Sequence, residues 1–156
     1  MSHLERYLRT HLAGSTAGVN LFDRAAGAFD EPAASVIRRI HGELIEERVA
    51  LRAMMAALDV HENLVFNTLT KAGERVGRLK PNGHLLRRTS MTDVTELETM
   101  RVALAGKLAG WESLLSIVDG EPRLSRQELE HWAEQAREQQ RAIGELHSSA
   151  AKRAFA

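Results

Sequence analysis

The chain has 156 residues, with 21 Lys and Arg against 21 Asp and Glu, so its formal net charge is zero. It has seven His, seven aromatic residues and no Cys. This length suits a single domain, 1–156, that buries roughly 70% of its unfolded surface. Zero net charge argues against a dedicated nucleic-acid binder, whose affinity comes largely from Lys and Arg contacts to phosphates. Without Cys, disulfides, Cys-ligated zinc, iron–sulfur clusters and thiol catalysis are excluded.

The sequence contains no signal for a membrane. No segment approaches the roughly 20 consecutive apolar residues that a membrane-spanning helix requires. The N-terminus carries early charge at Glu5 and Arg6 and lacks the apolar region of a signal peptide. Together with the missing Cys, these features lead us to expect a cytoplasmic protein.

The composition favours helices. Ala and Leu together number 42, whereas the β-branched Val and Ile number 14. Ala and Leu lose little conformational freedom in a helix, whereas β-branched side chains lose more. We therefore predict an all-α fold, divided into segments by Pro32, Pro81 and Pro122.

Apolar residues recur at steps of three, four or seven along four segments, as on one face of an amphipathic helix. In chain order they predict helices over about 3–29, 33–59, 91–119 and 126–154. Pro32 follows the first, Gly120 follows the third, and Ser125 with Glu128 fits a capping box that begins the last. Helices of this length, each about 40 Å long, predict a four-helix bundle.

The central link, 60–90, is much longer than the other two. Within it, the spacing of Leu64, Leu69 and Val76 predicts a short fifth helix over about 62–78. The short links predict two antiparallel hairpins. The long link is sufficient to cross the bundle and to leave the second and third long helices parallel.

With one long crossover in the middle, the chain resembles a ferritin-like four-helix bundle over most of its length. Metal-binding members of that superfamily place one Glu on each of two helices and a Glu-x-x-His on each of the others, around a di-iron or di-manganese centre. Here a single Glu-x-x-His occurs, from Glu128 to His131, and Glu128 already serves the capping box. Glu43 and Glu46 form a Glu-x-x-Glu where a second such motif requires His. The ligand signature is incomplete, so we expect no metal and no cofactor.

One acidic residue interrupts an apolar stripe. Glu47 lies three residues after Leu44 and four before Leu51, near the middle of the second helix. A buried carboxylate must be paired, hydrogen-bonded or protonated. Polar residues at similar depth on the other helices complete a predicted core polar layer of Ser15, Glu47, Arg101 and Gln140.

This layer has three interpretations. The first is a buried hydrogen-bond network that fixes helix pairing and register. Alternatively, Glu47 flanks the stripe and extends outward with Arg48. The functional alternative is a small ligand or ion site in the bundle core, beside the small residues of the first helix, to which His11 and His147 could contribute.

Charge is distributed unevenly along the chain. Residues 61–92 carry a net charge of +4, whereas 1–60 carry −1 and 93–156 carry −3. Lys71, Arg75 and Arg78 share one face of the predicted short helix and form a candidate anion-binding face. No aromatic residue is interleaved with these three basic residues to stack bases, and the pattern of a phosphate-binding loop is missing. The alternative is that this face complements the acidic third and fourth helices, within the chain or across a homodimer.

The leading functional hypothesis is a non-enzymatic interaction or stress-associated module, because bundle patterning is strong and catalytic motifs are missing. A divergent ferritin-like metal- or ligand-binding oxidoreductase centred on Glu47 is one alternative. Anion or nucleic-acid binding through the basic crossover is another. The sequence leaves homodimerisation open and identifies no protein partner.

Overall fold

The computed structural model describes residues 2–62 and 88–156. These ranges contain four α-helices, α1 (His3–Ala26), α2 (Ala33–Ala57), α3 (Ser90–Leu115) and α4 (Arg126–Phe155), with a 3-10 turn at Val118–Gly120 and no β-strand. The predicted all-α class is confirmed. Apart from Glu62, the predicted helix over 62–78 lies outside the described residues. Among the helices of the described ranges, none combines the length and apolarity needed to cross a bilayer.

Hydroxyl side chains begin three of these helices. Ser2 accepts the Glu5 N–H, and the Glu5 carboxylate accepts the Ser2 N–H in return, which completes a capping box. Thr89 caps α3, and Ser125 accepts the Glu128 N–H at the start of α4. These caps satisfy backbone donors that have no partner within the helix.

The first three helices end two to four residues before their predicted ends. The predicted ends are too late because buried apolar residues continue beyond each helix. Phe29, Leu58 and Val118 are buried, although each lies after the last residue of its helix. At the end of α2, Asp59 adopts a left-handed backbone with φ of 58°, which helical propagation does not allow. The spacing of apolar residues indicates which residues are buried and not whether they are helical, so it overestimates helix length at these positions.

The core consists of two apolar clusters. The proximal cluster contains Leu8, Leu12, Leu51, Met54, Met55, Leu58, Val60, Trp111, Leu114, Val118, Leu124, Leu129, Ala133 and Ala136. The distal cluster contains Leu21, Phe22, Ala25, Phe29, Ala34, Ile37, Ile40, Leu44, Val94, Leu97, Met100, Leu104, Ile143 and Ala150. All four helices contribute to both, so each cluster fills one half of the bundle.

The order of residues in the two clusters gives the direction of each helix. α1 and α4 run from the proximal to the distal cluster, whereas α2 and α3 run from the distal to the proximal cluster. α1 packs on α2 and on α3, and α4 packs on α3 and on α2. Consequently α2 and α3 are parallel, and the chain between them connects the proximal end of one to the distal end of the other.

Burial on α2 can be tested with a matched pair of isoleucines. Ile37 is fully buried, whereas Ile45 is 45% exposed on the same helix. Ile37→Ala should lower the free energy of unfolding by about 2–5 kcal/mol, because it removes buried methylenes and leaves a cavity. Ile45→Ala should change it by less than about 1 kcal/mol. Urea unfolding of both variants measures the difference, and equal costs would contradict the assigned orientation of α2.

Between α3 and α4, an exposed ion pair should make stability depend on acid pH. Arg123 holds the Glu121 carboxylate through two contacts of 2.7 Å, Nε to Oε1 and Nη2 to Oε2. These hydrogen bonds lower the pKa of Glu121 from 4.5 to about 2. The folded chain therefore binds a proton at Glu121 less readily than the unfolded chain.

We expect the stabilisation from Glu121 to be complete above pH 4.5 and to disappear as the pH falls toward 2. The measurement is the difference in free energy of unfolding between wild type and Glu121→Gln across this range. A constant difference would show that the ion pair does not form in solution.

Candidate functional site: a buried polar layer beside an apolar cleft

Glu47 lies at the boundary between the two apolar clusters. Leu44, three residues before it, belongs to the distal cluster, and Leu51, four residues after it, belongs to the proximal cluster. Glu47 is only 2% exposed. Its carboxylate is therefore placed at the middle of the core by the same helical stripe that buries both leucines.

Four side chains donate to this carboxylate. Lys107 Nζ lies 2.6 Å from each of its oxygens. Gln139 Nε2 and Gln135 Nε2 donate to Oε1 at 2.9 and 3.1 Å, and Trp111 Nε1 donates to Oε2 at 3.3 Å. The donors come from α3 and α4, so one carboxylate on α2 connects three helices.

Lys107 and Gln139 extend the layer beyond Glu47. Lys107 also donates to the side-chain oxygen of Gln139, whose amide nitrogen donates to Glu43 Oε2 at 2.9 Å. The Lys107 side chain is 18% exposed, and burial lowers the pKa of its ammonium, while Glu47 and Glu43 act in the opposite direction. We call Glu47, Lys107, Trp111, Gln135 and Gln139 the polar layer.

The structure brings Glu47 together with residues other than its predicted neighbours. Ser15 is half-buried and donates to the Leu12 carbonyl at 2.6 Å. Arg101 is exposed, with Nη1 3.2 Å from Nδ1 of His147, whose Nε2 lies 3.2 Å from Glu98. Gln140 is half-buried, and the adjacent Gln139 enters the layer in its place.

A signal in the sequence identifies the observed partners. Lys107 lies three residues after Leu104 and four before Trp111, which is the spacing that selects Glu47. Gln139 has the same spacing between Ala136 and Ile143. Arg101 and Gln140 have the reverse spacing, four after one core residue and three before the next. One residue along a helix corresponds to a rotation of about 100° about the helix axis. A residue with the reverse spacing therefore points in a different direction from its neighbour with the first spacing.

The candidate anion-binding residues Lys71, Arg75 and Arg78 lie outside the described residues. Arg88, from the same basic stretch, is described. It contacts Asp93 at 2.8 Å and Glu96 at 3.0 Å, and its guanidinium lies 4.2 Å from the centre of the Phe29 ring. At this position the basic stretch complements acidic residues of α3.

A cleft of about 440 Å³ opens beside the polar layer, between α1, α2 and α3. Glycines form part of its wall, namely Gly14, Gly18 and Gly106, and no atom outside their own helix lies within 4 Å of a Cβ built at any of them. The rest of the lining is mainly apolar and includes Leu21, Phe22, Leu44, Val102 and Leu114.

Several polar groups also border the cleft. His11 packs on Tyr7 with ring centres 4.4 Å apart, and burial lowers the pKa of its imidazole. The imidazole lies so close to Gly110 that a Cβ there would be 2.8 Å from it, so α1 and α3 approach closely at this point. Arg48 lines the cleft too, and its Nε is buried without a hydrogen-bond partner in the described residues.

The Glu-x-x-His motif lies apart from this region. His131 is exposed and packs on Trp132, with ring centres 4.6 Å apart. Glu128 provides the N–H that Ser125 accepts. Within residues 2–62 and 88–156, no three His, Asp or Glu side chains are grouped so that they could hold a metal ion.

The chain matches no family model, no curated protein and no solved structure.

The coupling between Glu47 and Lys107 can be measured with a double-mutant cycle. Lys107→Met should lower the free energy of unfolding by about 3 kcal/mol, because it leaves a buried carboxylate without its cation. In a Glu47→Gln background the same change should cost at least about 1 kcal/mol less, because no charge is left uncompensated. Equal costs in the two backgrounds, measured by urea unfolding at pH 7, would show that the pair is not coupled.

Proposed function

We propose that this chain is a non-enzymatic, ferritin-like helical bundle that acts as an interaction module by binding an apolar molecule in the cleft between α1, α2 and α3. The observation that carries the proposal is the cleft itself, about 440 Å³ with a mainly apolar lining. Ligand sites are typically concave, mainly apolar and supplied with a few polar groups that fix orientation. This cleft has those properties.

The polar layer supports a structural role for Glu47. A general base or nucleophile must be free to approach the reacting atom. Both oxygens of the Glu47 carboxylate already accept hydrogen bonds, and the nearest cation is Lys107 at 2.6 Å. The layer thus holds three helices in register and forms one side of the cleft.

The ferritin-like assignment is supported by helix direction. α2 and α3 are parallel, and one long connection joins them, as in ferritin-like bundles. The donor set at the bundle centre does not fit the di-metal centre of that superfamily. Around Glu47 are an ammonium, an indole N–H and two amides, whereas such a centre requires four carboxylates and two imidazoles.

The proposal predicts that side chains added at the glycines of the cleft wall weaken binding. Gly14→Leu with Gly18→Leu should reduce affinity for Nile red, a neutral apolar dye, by at least about tenfold, because the added side chains occupy the cleft. The variant should remain folded, because a built Cβ meets no neighbour at either position and because Leu favours a helix over Gly by roughly 1 kcal/mol.

Gly42→Leu is the matched control, since Gly42 also accepts a Cβ freely and lies on α2 outside the cleft lining. Its affinity should equal that of wild type. Dye fluorescence titration gives the affinities, and circular dichroism verifies the fold. The proposal fails if wild type does not bind the dye, or if the filled variant binds it equally well.

A further inference from the structure

Arg48 is a cation beside the apolar cleft, and no salt bridge joins it to a carboxylate of the described residues. It lines the cleft from α2, and in the described residues its Nε is buried without a hydrogen-bond partner. Glu62 attracts Arg48 electrostatically, but both of its carboxylate oxygens are engaged by Arg52, Oε1 at 2.7 Å and Oε2 at 3.2 Å. Within the described ranges, Arg48 therefore presents a partly dehydrated guanidinium to the cleft.

The other ionic groups of the cleft are balanced. Lys107 and Glu47 neutralise one another at 2.6 Å. After that pair is counted, Arg48 gives the described lining of the cleft one excess positive charge. A guanidinium is planar and donates in parallel to both oxygens of a carboxylate, so a single carboxylate is the group that best satisfies it.

The length and volume of the cleft indicate what the rest of the ligand is. Its lining extends along α1 from Tyr7 to Phe22 and along α3 from Thr99 to Leu114. Each stretch corresponds to about 22 Å of helix. A space of this length with a volume of about 440 Å³ is narrow, and the missing side chains of Gly14 and Gly18 keep it open along α1. An unbranched hydrocarbon chain fits such a space.

We propose that the cleft binds a long-chain carboxylate of the fatty-acid type. Arg48 holds the carboxylate, and the acyl chain lies along Gly14 and Gly18 toward Leu21 and Phe22 in the distal half of the bundle. This inference rests on the proposed function, because it names the ligand class of the same cleft. It assigns Arg48 a specific part in recognition, which the polar layer does not share.

Isothermal titration with two probes of equal chain length separates the headgroup from the chain. Dodecanoate should bind the full chain at one molecule per protein, at least about tenfold tighter than 1-dodecanol, because only the carboxylate forms charge-assisted hydrogen bonds. Arg48→Gln should abolish this difference and leave affinity for 1-dodecanol unchanged. Arg48→Lys, which keeps the charge without the planar fork, should retain an intermediate preference.

Arg38→Gln is the control, since Arg38 lies on the same helix, has a side chain that is 60% exposed, contacts Glu31 at 3.6 Å and is outside the cleft lining. It should preserve the wild-type preference for dodecanoate. Thermal unfolding of each variant verifies that it is folded before titration, and the Lys variant provides the comparison if the Gln variant is unfolded.

The outcomes distinguish the two proposals. Equal affinities of wild type for dodecanoate and 1-dodecanol would overturn the carboxylate assignment and leave the apolar binding module standing. Binding of neither probe would overturn both. Sedimentation velocity tests another occupant: a dimer that Gly14→Leu with Gly18→Leu converts to a monomer would show that a second copy fills the cleft, which would also overturn the carboxylate assignment.

Discussion

The buried ion pair between Glu47 and Lys107 is the interaction on which the arrangement of this bundle depends. It lies where the proximal and distal clusters meet, and it is completed by Gln139, which is fully buried. An apolar layer at this level would permit the helices to slide by a turn, because leucine contacts are not directional. A carboxylate that accepts from four donors on two other helices is satisfied only where those donors are within reach, which favours a single register.

The same polar layer places the cleft. Glu47, Lys107 and Trp111 line the cleft, so the side chains whose hydrogen bonds connect α2 to α3 also form part of the wall of the candidate site. On α1, Gly14 and Gly18 provide no side chain to fill the space. An apolar cleft beside a satisfied ionic network has a rigid support, and this combination supports the proposed role in ligand recognition.

Much of the fold follows from periodicity alone. The four long helices are where the apolar stripes predict them, because a helix that must bury one face repeats every 3.6 residues. The apolar stripes place three helix ends too late, because Phe29, Leu58 and Val118 are buried although they lie beyond the helices. The resemblance to ferritin-like bundles and the homodimer stay predictions, as does the anion-binding face at Lys71, Arg75 and Arg78.

The sequence by itself determined that the described part of the chain is all-α and that Glu47 lies on a core stripe, since both depend on residues close together in one helix. Only the tertiary structure decided which side chains meet that carboxylate, because a rotation of one residue exchanges Gln140 for Gln139 and turns Arg101 to solvent. The cleft is also a tertiary property. Its volume depends on the distance between α1 and α3 and on what their glycines leave unfilled, and neither is encoded in the pattern of a single helix.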